Sequence, residues 1–153
     1  RRRVLLGLLA APLLLSGCGP EQASAMDPPR IDYGRVTCDR CGMIVTDERH
    51  AAGLVEETGD AAIFDDAGEL IATVQEQQLG SRRAWVHDYP SSRWIDGVTA
   101  LYAVGKGVTS PMGTGVVAFA ERKPAEAFAA EQGAVVMTWD EVLADWTPDP
   151  RMS

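Results

Sequence analysis

The sequence predicts an α+β fold made of tandem β-β-α-β repeats with a short C-terminal helix. Three observations carry this prediction. Two strand–strand–helix–strand patterns follow one another, the first over about 38–90 and the second over about 94–140. Each contains one amphipathic segment bounded by residues that start or stop helices. A capping-box sequence then opens one last short segment of helical pattern.

In the first unit, the apolar run Ala51 to Val55 reads as a strand, Thr58-Gly59-Asp60 as a turn, and Ala61-Ala62-Ile63-Phe64 as the second strand. Asp66 is placed to cap a helix with Glu69 at the capping-box spacing; Leu70, Ile71 and Val74 mark one face and Gly80 follows the end. Arg83 to Tyr89 closes the unit as a strand with Trp85, His87 and Tyr89 on one side, and Pro90-Ser91-Ser92 turns the chain. The second unit runs through a strand Thr99 to Val104, a long loop Gly105 to Gly115, and a strand Val116 to Ala120. Its helix opens at Pro124, carries Ala125, Phe128 and Ala129 on its face, and stops at Gly133. Ala134 to Met137 is the closing strand. Thr138 and Glu141 form the capping box of the last helix, with Met137 and Val142 as its hydrophobic staple. The acid pairs Asp65-Asp66 and Asp140-Glu141 fall at helix starts, where capping and the helix dipole explain them without catalysis.

Ahead of these units the chain opens on Arg1, Arg2 and Arg3 and an apolar run from Val4 to Leu15, too short for a permanent membrane span. Residues 1–17 are therefore expected to be a signal peptide. They end at Leu15-Ser16-Gly17-Cys18, a sequence similar to a lipobox, so Cys18 is expected to carry the lipid. No Met begins the chain, so the true start is expected to precede Arg1. Residues 18–36, rich in proline and poor in bulky apolar side chains, read as a lipidated flexible tether, leaving 37–148 as the folded domain. The expected location is extracytoplasmic, on the outer membrane facing the periplasm. Three of the 14 Lys+Arg lie in the leader, which leaves 11 against 22 Asp+Glu. So acidic a chain, with no basic stripe to neutralise phosphates, is not a nucleic-acid partner.

With Cys18 taken by lipid, only Cys38 and Cys41 remain. A disulfide across so short a loop removes little denatured-state entropy, so the pair points to redox or metal chemistry. In Cys38-Asp39-Arg40-Cys41-Gly42-Met43, two thiols and a thioether fall within six residues, and thiolate with thioether selects Cu(I) over zinc or hard cations. Gly42 lets the backbone bend so that Cys41 and Met43 converge. His50 and His87 are further candidates, His87 with a packed aromatic face as its simpler role. Met26 and the four tryptophans carry no assigned chemistry. The long loop of the second unit adds Met112, and enlarged loops on rigid scaffolds are where binding residues sit. Two alternatives stand beside metal binding. One is a thiol-disulfide oxidoreductase using Cys38 and Cys41, although no helix follows the motif as such enzymes require. The other is a non-metal scaffold for a membrane assembly complex.

The Cys38–Met43 stretch, Val86-His87-Asp88-Tyr89, Trp94-Ile95-Asp96, Ser110-Pro111-Met112-Gly113 and the lipobox together resemble the NosL family, lipoprotein accessory proteins of nitrous oxide reductase. The resemblance runs from Cys38 to about Trp146. It implies a non-enzymatic Cu(I) metallochaperone of denitrification that delivers copper to the copper-sulfide cluster of the periplasmic reductase, alongside membrane-associated maturation proteins. It implies a duplicated β-β-α-β fold related to organomercurial lyase. Carried over by motif, the metal ligands are Cys41, Met43 and Met112, with Cys38 and His50 as weaker candidates.

Overall fold

The structure is a computed structural model that describes residues 27–77 and 83–148. Its element order is β1 (Ala52–Val55), β2 (Ala61–Phe64), α1 (Ala67–Gln77), β3 (Arg83–His87), β4 (Trp94–Asp96), β5 (Leu101–Val104), β6 (Val116–Phe119), α2 (Arg122–Gln132), β7 (Val135–Thr138) and α3 (Trp139–Asp145). Both β-β-α-β units and the closing helix are present. The leader, Cys18, Met26 and the expected helix stop Gly80 lie outside the described residues.

Each unit forms its own antiparallel sheet with its first strand inside. The first sheet runs β2-β1-β3-β4 and the second β6-β5-β7. All four residues of β1 are buried, as are those of β6, because each is covered on both faces. β4 is an element the sequence pattern did not mark. Its three residues pair with β3, Val86 opposite Ile95 and His87 opposite Trp94, so Trp94–Asp96 extends the first sheet rather than opening the second unit.

Two helix starts differ from the sequence expectation. The second helix begins at Arg122, not Pro124, behind Glu121, whose side chain makes no capping bond. Pro124 then occupies the first turn, where its missing N–H costs no helical bond. The first helix has only half of its capping box: Asp66 Oδ1 accepts the Glu69 N–H at 3.0 Å, but the Glu69 carboxylate bonds elsewhere. The last helix has both halves of its box, between Thr138 and Glu141.

α1 lies against β1 and β2 of its own sheet and also against β6 of the other. One core cluster therefore takes Leu54, Phe64, Leu70 and Ile71 from the first unit together with Tyr102, Val116 and Ala118 from the second. A smaller cluster of Ala103, Val117, Phe119, Ala125 and Ala129 fills the space under α2. The sheets are also joined through Asp88. Its carboxylate accepts the Ala120 N–H at 2.9 Å, while Tyr89 N–H donates to Ala118 O at 2.8 Å.

The tether drawn through residue 36 is shorter at its folded end. Pro29 is buried against Gly53, and Ile31, Tyr33 and Val36 pack on the first core.

Candidate metal centre

Residues 34–45 form a tight double-backed turn. Thr37 bridges Ile44, Gly34 N–H donates to Val45 O and Val45 N–H to Val36 O, at 2.8 and 2.9 Å. At the tip, Cys38 N–H donates to Met43 O at 2.8 Å and Gly42 N–H to Cys38 O at 2.9 Å. The turn closes only because Gly42 adopts φ +75°, which L side chains resist. Cys41 N–H also points at Cys38 Sγ, 3.5 Å away, as backbone amides do around a sulfur about to carry charge.

Two anchors fix this turn to the scaffold. Asp39 docks on the outer edge of β2, its N–H donating to Ile63 O at 2.8 Å and its Oδ2 accepting the Ile63 N–H at 2.6 Å. Arg40 makes a forked ion pair with Glu76 of α1, at 2.7 and 2.8 Å. Those contacts aim both thiols at the first turns of α1, where Glu69 waits. Cys38 Sγ donates to Glu69 Oε2 at 2.9 Å and Cys41 Sγ to the same oxygen at 3.7 Å. One donor atom from each of Cys38, Cys41 and Glu69 lies within 4.8 Å of the others.

Exposure is graded along the motif: Cys38 is 2 % exposed, Cys41 is half-buried and Met43 is 55 % exposed. Burial pushes the Cys38 thiol up to about 12, and burial raises Cys41 as well. Burial thus favours the protonated form of both thiols in the metal-free protein, and an ion must displace those protons.

Met43 sits on the same turn as the thiols. Met112 is half-buried on the long loop, its N–H bonded to Asp66 Oδ2 at 3.2 Å, one helical turn from Glu69. His50 stands apart from the thiol group. It is buried beside Asp47, at 3.9 Å, and edge-on to Tyr89, and burial lowers its pKa. His87 is occupied at both nitrogens, Nδ1 by Ala51 O at 2.8 Å and Nε2 by the Tyr33 hydroxyl at 3.4 Å, and its ring lies 3.7 Å from that of Trp94.

Residues 32–147 match the NosL family. The chain belongs to the NosL family. The copper-binding lipoprotein NosL of Stutzerimonas stutzeri is 30% identical, over 92% of this chain and 81% of its own length. The crystal structure of the copper chaperone NosL from Shewanella denitrificans aligns with a TM-score of 0.64 at 26% identity, covering 80% of this chain and 96% of that one. Within this NosL domain, Glu69 is the site residue that sequence reasoning missed. The apolar pattern gave no signal for it: at 3.6 residues per turn Glu69 falls on the side of the helix away from Leu70, Ile71 and Val74, and it is buried where the thiol turn covers that side.

Proposed function

We propose that this chain is a Cu(I) metallochaperone, anchored through Cys18 on the extracytoplasmic side of a membrane. It delivers copper to the copper-sulfide cluster of nitrous oxide reductase with membrane-associated maturation proteins. The observation that carries the reading is the turn on which two thiols converge at a buried end while a thioether stands exposed at the other. The names of the two relatives agree with copper as the cargo.

Cys41, Met43 and Met112 are the proposed ligands, with Cys38 as a further sulfur at the buried end. Sulfur donors of this kind suit a soft monovalent ion. Glu69, a hard oxygen, serves as hydrogen-bond partner of the thiols rather than as the preferred donor. The exposed Met43 gives a partner's ligands a side from which to enter before the thiolates let go. Exposed Ile44 beside it, 53 % accessible, adds an apolar contact for that partner. The same site suits a thiol oxidoreductase poorly, because burial raises both thiols while such enzymes present a ready thiolate.

The test is anaerobic Cu(I) titration of the reduced protein against a chromogenic competitor. Cys41→Ser is expected to weaken binding by about 100-fold, and Met43→Ala and Met112→Ala by about 10-fold each, at ~1.4 kcal/mol per decade. Unchanged affinity in Cys41→Ser removes the site assignment. Incubating the loaded protein with copper-free reductase tests the client: activity should appear, and its absence in the presence of the maturation proteins rejects that client.

A further inference from the structure

The Asp66 carboxylate is fully buried, and its two oxygens face different units of the fold. Oδ1 accepts the Glu69 N–H at the start of α1. Oδ2 gathers three donors from the long loop of the second unit: the Ser110 hydroxyl at 2.8 Å, the Thr114 hydroxyl at 3.0 Å and the Met112 N–H at 3.2 Å. The two hydroxyls are themselves 3.0 Å apart, so the loop closes around a single oxygen atom. Its seat on α1 requires Gly68, where a Cβ would collide with the Thr114 side chain.

A helix cap needs one oxygen, and Oδ1 already supplies it. Three loop donors on the other oxygen exceed what capping explains, and their centre is the residue that carries the thioether. Bonds to an ionised carboxylate are stronger than neutral ones, which suits a device that must hold a loop before its ligand arrives. Ordering the loop in advance lowers the entropy lost when an ion binds.

We propose that Asp66 is a positioning residue that presents Met112 to the ion held by Cys41 and Met43, joining the ligand arms of the two units across one turn of α1. This rests on the reading of Met112 as a ligand.

The experiment uses protein with 13C-labelled methionine methyl groups, titrated anaerobically with Cu(I) and followed by NMR. The parent is compared with Asp66→Asn and with the double variant Ser110→Ala/Thr114→Val, which leaves the helix cap intact. In the parent, the Met43 and Met112 methyl signals should both shift. In the variants the Met43 shift should persist, the Met112 shift should be lost, and Cu(I) affinity should fall about 10-fold, the range for residues that orient a metal ligand. A Met112 signal that never shifts in the parent defeats the ligand reading instead. An equal Met112 shift in the parent and the double variant overturns the positioning role, and so does loss of both shifts together, which marks general collapse of the site. Should Asp66→Asn fail to fold, the double variant decides alone.

Discussion

At residue 65 a buried carboxylate keeps one oxygen, Oδ1, without a hydrogen-bond partner among the described residues. Burial first, then the charges of Glu69, Asp66 and Asp47, lift this group from 3.8 to about 6. A carboxyl whose folded pKa is raised holds its proton more tightly when folded. Its destabilising effect is absent well below 3.8, accumulates as pH rises through the window from 3.8 to about 6, and is complete above it. Asp65→Asn should therefore stabilise the protein by about 1–3 kcal/mol at pH 7.5 and by almost nothing at pH 3. Urea unfolding at the two pH values checks this, and a gain independent of pH would refute it. Its neighbour Glu69 shows where residue-level reading of the sequence stopped. Asp-x-x-Glu is the same string whether the Glu folds back on its own helix or reaches out of it, and only the approach of Cys38 and Cys41 decides. The Cys-x-x-Cys-Gly-Met string, by contrast, was legible because its chemistry is carried by consecutive residues.

Among the elements, the strands and helices longer than three residues were legible because their apolar periods and end signals agree. β4 was not, since a three-residue strand has no period to read and is defined only by pairing with β3. The α2 start was misplaced because its cap, Glu121, makes no side-chain bond and leaves no signature. The turn bearing the thiols was visible as a motif but its anchor was not: Asp39 bonds to Ile63, 24 residues away. Asp39→Ala should cost about 1–2 kcal/mol by orphaning that N–H, and should weaken Cu(I) binding because the thiols lose their fixed aim. Asp39→Asn, which retains an acceptor oxygen, should restore much of both. Thermal melts and Cu(I) titration of the pair provide the check, and equal behaviour of Ala and Asn would contradict the anchoring role.

For the molecule as a whole, ion binding and folding are one linked equilibrium. At Cu(I) held about 100-fold above its dissociation constant, unfolding should cost about 2.7 kcal/mol more than in the metal-free protein. The gain should vanish in Cys41→Ser, and a melt that ignores Cu(I) would speak against a native-state site. Asp88→Ala should lower stability by about 2 kcal/mol without changing that increment, because the bonds it removes, to Ala120 and Ser91, involve none of the proposed ligands. The internal repeat was legible as a pattern, but the sharing of one core between its copies was not, since packing of α1 on β6 leaves no trace in either unit's own periodicity. That shared helix limits how the repeat can be taken apart. A half-chain ending at Asp96 would leave bare the face of α1 that Val116 and Ala118 cover, and it would lack every donor that converges on Asp66 Oδ2. The repeat is a duplication of topology without modularity: neither copy is a spare part, and insertions or fusions belong at the chain ends rather than at the seam between units.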